Sequence, residues 1–183
     1  WSVNSEKWAI GSRVTLARIC SKKYPMRLVP SAAAPAMHHH TIFDTPVVNT
    51  LLRGLSIGIL KLTGWKVEGH LPPHAAKSVL IAAPHTSNWD LPYTLMLSFV
   101  LRLRVYWMGK QSIFRWPFGG LMRWLGGIPV NRGQASYLVA LSAQAMRDAD
   151  GPMQLIVPPE GTRGKTRHWK TGFYFIAQQA GVP

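Results

Sequence analysis

Acidic side chains and cysteine are the two scarcities of this 183-residue chain. Seven Asp and Glu face 21 Lys and Arg, leaving a formal charge of +14. Such an excess favours partners that carry negative charge: nucleic acid, an anionic membrane face or a phosphorylated small molecule. Charge does not choose among the three. Cys20 is the single cysteine, which excludes an internal disulfide and a cysteine-rich metal site and fits a reducing compartment. A G-x-S-x-G element is also missing, which argues against a serine hydrolase. No familiar nucleic-acid motif occurs, and the aromatic residues cluster with apolar ones rather than along a basic stripe. What is present is apolar: 47% of the chain, enough to exclude disorder throughout and to build one domain with its own core.

The organised sequence starts late. Residues 1–36, "WSVNSEKWAIGSRVTLARICSKKYPMRLVPSAAAPA", show neither helical nor strand periodicity. They are expected to be a non-native extension, with a basic disordered tail as the alternative. Met37 then opens "MHHHTIFDTPVVNTLLRGL". From Met37 onward 15 basic residues face 6 acidic ones, so the charge argument survives without the extension. Three consecutive histidines, 38–40, read as a solvated tail rather than a metal site, since no fourth ligand is suggested nearby. The far end, "AQQAGVP", stops where another strand is expected. The expected organisation is thus 1–36 extension, 37–64 membrane-associating amphipathic helix, and 65–183 a catalytic domain incomplete at its C-terminus.

Residues 46–62 place Val48, Leu51, Leu52, Leu55, Ile59 and Leu62 at helical spacing, with Asp44 or Thr45 as cap and Pro46 in the first turn. Arg53 and Lys61 interrupt the run, which is short for a membrane span. A helix lying in the membrane interface and an ordinary helix packed on the domain both fit. From Trp65 strand and helix alternate. Strands are expected at 65–71, 78–85, 105–110, 128–132 and 153–161, and helices at 89–103, 118–127, 134–150 and 170–181. That alternation predicts an α/β class: a single domain with a mixed, largely buried sheet flanked by helices.

The stretch "PHTSNWD", 84–90, carries the first chemical signal. Five residues of continuous helix turn through about 500°, which keeps His85 and Asp90 apart, and in a strand they face opposite sides. They meet only if the chain turns between them, and Thr86-Ser87-Asn88 are turn and cap residues. His85 would then stand at the carboxyl end of a strand and Asp90 in the first turn of a helix, where α/β sheets bind ligands. Ser87 and Asp90 also have capping-box spacing, which needs no chemistry. The second signal is "PEGTRGKTRHWKTG", 159–172. Its glycines and its cations Arg163, Lys165, Arg167 and Lys170 suit phosphate oxygens, and a solvated basic loop has the same composition.

"HTSNWD", then "GGIPVNR" at 126–132, then "PEGTR" together resemble the glycerolipid acyltransferases that make phosphatidic acid from lysophosphatidic acid. Their pattern is H-x4-D, G-x-I-x-x-x-R and P-E-G-T-R in this order, and the likeness covers roughly 45–183. Pro84 stands where relatives often have Asn, Pro158 where they often have Phe, and Asn131 where they often have an acid. The fourth family block would lie past residue 183. The chain therefore resembles a divergent bacterial-type member.

The resemblance implies a transfer of acyl from acyl-CoA or an acyl carrier protein, as co-substrate, to a lysophospholipid hydroxyl. It calls for no cofactor, no metal and no nucleic acid. A membrane surface is implied as a partner, with the enzyme at the cytoplasmic face of the inner membrane. His85 would be the base and Asp90 its orienting carboxylate. Arg132, Glu160, Gly161, Thr162 and Arg163 would bind the acceptor phosphate, Glu160 by orienting an Arg or a backbone amide rather than touching the ligand. Lys110 is a weaker candidate for phosphate, because a snorkelling lysine fits the same position. The stretch 112–127, "SIFRWPFGGLMRWLGG", reads as a lipid-facing or acyl-lining surface, or equally as a core helix with two exposed arginines. Other acceptors, among them glycerol 3-phosphate, other lysolipids and amino-acid lipids, remain open, as does a non-catalytic basic binding module.

Overall fold

A computed structural model describes residues 39–130 and 135–183. The extension 1–36, with Cys20, lies outside the described residues, and so does Arg132. Among the described residues nine regular elements follow one another: α1 (Pro46–Leu62), β1 (Lys77–Ile81), α2 (Asp90–Leu101), β2 (Val105–Lys110), α3 (Gly119–Trp124), β3 (Gly127–Val130), α4 (Ala135–Asp148), β4 (Met153–Val157) and α5 (Gly172–Ala180). Single 3-10 turns sit at Ile42–Asp44, Pro73–Ala75 and Gln111–Phe114.

The strands form one sheet in the order β1-β4-β2-β3, and every pairing among the described residues is parallel. The α/β expectation holds, and its detail of a mixed sheet gives way to a parallel one. The reason is connectivity: each strand is followed by a helix before the next, and such crossovers join parallel neighbours. Residues 65–71 form no strand. Gly69 takes φ 93° there, the segment is largely exposed, and its alternation finds no partner strand to pair with.

Adjacent strand residues point to opposite faces, and the core divides accordingly. Tyr106 and Leu155 join Met146, Ala149 and Ile176 beneath α4 and α5, while their neighbours Val105 and Ile156 join Leu95 and Phe99 beneath α2. Leu155 is fully buried, so trimming it to Ala would cost about 2–5 kcal/mol. Buried Gln154 ties the amino ends of three strands together: its Nε2 donates to the Ala76 carbonyl (2.6 Å) and its Oε1 accepts the Arg104 N–H (2.8 Å).

α1 resolves the choice between packing and exposure by doing both. It packs on α2 through a face that buries Ser56 and Leu60. Val47, Leu51, Leu55 and Leu62 form a row on the opposite side and stay exposed, Leu62 at 89%. No side chain caps its start. Asp44, expected as a cap, instead receives the Thr41 N–H and hydroxyl and pairs with Arg104. Among the described residues no helix is long and apolar enough to cross a membrane.

Candidate active site

The carboxyl ends of the strands build the site. β1 stops at Ile81, and the chain leaves through Ala82, Ala83 and Pro84, the last joined by a cis bond. The turn 86–88 then reverses it into α2. His85 and Asp90 end up in contact, Nδ1 to Oδ2 at 2.9 Å. The same Oδ2 accepts the backbone N–H groups of Thr86 (2.8 Å) and Ser87 (3.0 Å). The Ser87 N–H above all holds the Asp90 carboxyl below the ordinary carboxylate range, against an opposing effect of burial; the Thr86 N–H and the His85 imidazole add to the lowering.

The capping box expected from Ser87 and Asp90 is half made. Asp90 reaches back to the Ser87 N–H, but the Ser87 hydroxyl accepts from Trp89 two residues on (3.1 Å), not from Asp90. The short i-to-i+2 loop wins because the turn brings the Trp89 N–H within reach first. One carboxylate thus closes the turn and orients the imidazole at once. With Nδ1 facing Asp90, Nε2 is the ring nitrogen left for other work.

His85 and Asp90 open into a cavity of about 330 Å³. Its charged rim is completed by Lys110, from the end of β2, and Arg163. Its walls are apolar: Leu91, Trp107, Met108, Ile113, Met122 and Ile156. Trp107 is fixed there by its indole N–H to the Leu125 carbonyl (2.9 Å) and by stacking on Phe114 (5.9 Å between centroids). The aromatic stretch 112–127 therefore splits its roles. Phe114 is buried, Ile113 and Met122 reach the cavity, and Trp116 (93% exposed) and Phe118 (64%) face outward.

The Pro-Glu-Gly-Thr-Arg turn follows β4. Pro159 is fully buried and its carbonyl accepts the Lys170 N–H at 2.8 Å. Gly161 has φ +62°, and a Cβ there would lie 2.8 Å from Lys170 Nζ. Conformation is what calls for glycine, since the atoms a Cβ would meet belong to the movable end of the Lys170 side chain. Thr162 is exposed and its hydroxyl accepts the Gly164 N–H (3.3 Å). Of this group Arg163 lines the cavity with His85. Glu160 was expected to orient an Arg or a backbone amide; its Oε2 is buried and accepts no hydrogen bond among the described residues.

Lys110, the weaker phosphate candidate of the sequence, lines the cavity, and so do Trp107, Met108 and Thr94, to which no sequence motif points. The signal for Lys110 was its place at the carboxyl end of a strand. Among the described residues no three His, Cys, Asp or Glu side chains gather as a metal site needs.

Comparison with known proteins points the same way. The family model described as "Acyltransferase" matches residues 65–183. The 1-acyl-sn-glycerol-3-phosphate acyltransferase of Haemophilus influenzae is 30% identical over 129 residues, which is 67% of this chain and 52% of that protein. The Escherichia coli and Salmonella typhimurium enzymes of that name are 29% identical over 129 and 131 residues, 67% of this chain and 51% of each relative. The chain thus spans about half the length of the curated relatives it matches. No solved structure matches it at the same level of significance. A family match over residues 65–183, the span that holds the sheet and both motifs, makes this chain a member of the acyltransferase family.

Proposed function

We propose that the chain is an O-acyltransferase that moves a fatty acyl group from a thioester to a hydroxyl of a phosphorylated lysolipid, with His85 as general base. The observation that carries the reading is the His85–Asp90 contact of 2.9 Å at a cavity whose rim also holds Lys110 and Arg163. Nε2 takes the proton of the acceptor hydroxyl as its oxygen attacks the thioester carbonyl. The C–O bond forms, the tetrahedral intermediate collapses, and the C–S bond breaks. The departing thiolate recovers the proton from Nε2, so no redox partner enters. Asp90 fixes the tautomer and stabilises the imidazolium while it exists.

Arg163 and Lys110 supply positive charge for the acceptor phosphate, and the apolar walls suit the acyl chain. The relatives' name, 1-acyl-sn-glycerol-3-phosphate acyltransferase, makes 1-acylglycerol-3-phosphate the acceptor of choice, with acyl-CoA or acyl carrier protein as donor. The exposed row on α1, together with Trp116 and Phe118, supports contact with a membrane surface, and the cytoplasmic face is part of the proposal.

The test is transfer of labelled acyl-CoA or acyl carrier protein to 1-acylglycerol-3-phosphate by the full-length protein in membranes. Labelled phosphatidic acid from the parent and not from His85→Ala supports base and acceptor together. Equal rates from both remove His85 from the mechanism. A folded, membrane-bound parent that acylates no phosphorylated acceptor overturns the reading.

A further inference from the structure

A second cavity, about 460 Å³, opens at the opposite edge of the sheet. Leu103 and Arg104 lead directly into β2 and Pro152 into β4, so this is the amino edge, a strand length from His85. Three arginines line it: Arg53 from α1, Arg102 from the end of α2, and Arg104. The one carboxylate is Asp44, and it is fully engaged. Its Oδ2 accepts the Thr41 N–H (2.7 Å) and hydroxyl (3.0 Å), and its Oδ1 pairs with Arg104. Among the described residues neither Arg53 nor Arg102 meets a carboxylate. The contact given for the Arg53 guanidinium is a long one, Nε to the Val100 carbonyl at 3.5 Å.

Arg102 is placed here against its own backbone preference. It caps α2 in the left-handed region, φ 56° and ψ 41°, the position glycine ordinarily holds. It is the single non-glycine residue with positive φ among the described residues. Nothing in the helix cap needs an arginine, since the cap's hydrogen bonds come from the backbone N–H groups of Arg102 and Leu103.

We propose that this cavity is a second phosphate-binding site, separate from the one facing His85 and independent of the acyl-transfer reading. Guanidinium forks match phosphoryl oxygens two at a time. Two uncompensated forks in a concave site call for a dianion such as a phosphomonoester or a diphosphate, and Phe43 and Leu103 offer apolar wall for the carbon body attached to it. A single concavity rather than a stripe of cations takes one such group, not a polyanion.

The experiment uses the full chain in detergent with Arg163→Gln, which removes the proposed phosphate contact at the carboxyl edge. Inorganic pyrophosphate is titrated in by calorimetry, before and after adding Arg102→Gly. Glycine suits the left-handed backbone, so this variant deletes a guanidinium without a reason to unfold, and its melting midpoint checks that. The expected result is saturable binding that weakens about tenfold or more with Arg102→Gly, and again with Arg53→Gln. Absence of saturable binding in the Arg163→Gln chain, or an affinity indifferent to both substitutions, overturns the proposal. Vesicles separate the sources of the phosphate. If a lipid headgroup fills the site, Arg102→Gly lowers cosedimentation with phosphatidylcholine vesicles doped with phosphatidic acid and not with phosphatidylcholine alone. If a soluble phosphoester fills it, pyrophosphate binding falls and cosedimentation stays.

Discussion

At its carboxyl edge the parallel sheet sets a carboxylate, Asp90, against a histidine; at its amino edge it sets another, Asp44, against an arginine. Both carboxylates are prepared alike. Each accepts a backbone N–H from a residue three positions earlier, Ser87 for Asp90 and Thr41 for Asp44. The partner makes the difference. An imidazole gives and takes protons near neutrality, whereas a guanidinium stays charged throughout. The carboxyl edge can therefore perform chemistry, and the amino edge can only hold charge. The surroundings agree with the division. Around His85 the cavity is walled by Trp107, Met108, Met122 and Ile156, and around Asp44 two more guanidiniums stand without an acid. Cation excess alone, which the composition announced, marks a place to bind. A base held by a carboxylate marks a place to react.

The largest effect that would break this comparison is on rate. His85→Ala should lower acyl transfer by about 10²–10⁴-fold, the usual worth of a positioned general base, measured with the full-length protein at saturating substrates. A loss under tenfold would leave the carboxyl edge no more reactive than the amino edge. Next comes Arg163→Gln, which removes the charge proposed to hold the acceptor and leaves His85 in place. The expected result is a KM for the phosphorylated acceptor raised about ten- to a hundredfold, with kcat changed far less. A fall in kcat at unchanged KM would move Arg163 from holding the acceptor to stabilising the transition state.

The two edges also each contain a left-handed residue, and these sharpen the comparison through stability. Gly161 at φ +62° is a glycine where one is needed, whereas Arg102 at φ 56° is not. Gly161→Ala should destabilise the chain by about 1 kcal/mol, since a Cβ is strained at this φ, while the Lys170 side-chain end it meets can move aside. Arg102→Gly should leave stability unchanged or raise it by up to about 1 kcal/mol. Denaturant midpoints of the two variants check the opposite signs. A clear loss with Arg102→Gly would mean that its side chain holds the fold together rather than waiting for a ligand.

How much of this was legible depended on how local the cause is. β2 at 105–110 and α1 at 46–62 fall where the periodicity puts them, because a short apolar run and a 3.6-residue stripe are decided within their own span. The His85–Asp90 pairing was legible from turn residues lying between them. Its second use, with Asp90 closing the loop on Thr86 and Ser87 while the Ser87 hydroxyl goes to Trp89, depends on angles that no spacing encodes. The alternation at 65–71 suggested a strand that does not exist, since a strand needs a neighbour and none lies beside that segment. The amino-edge cavity was not legible at all. Arg53 sits on one helix, and Arg102 and Arg104 follow another, so only the packing of α1 on α2 brings them to one place.

The smallest effect concerns Asp90 and acid. Its carboxyl is held below the usual 3.8, chiefly by the Ser87 N–H. The folded chain therefore binds the proton less readily than the unfolded chain does. The stability this contributes is complete above the ordinary value and is lost as pH falls below it toward the lower folded value. Asp90→Asn removes the titration, so the variant should be less stable than the parent at neutral pH, and the gap should narrow as pH falls below the ordinary 3.8. Melting midpoints of both proteins across that window measure it. Parallel curves would mean that the Thr86 and Ser87 amides do not favour the ionised carboxylate in solution. The turn that aims His85 would then be held by its backbone alone, and Asp90 would differ from Asp44 less than the two edges of the sheet suggest.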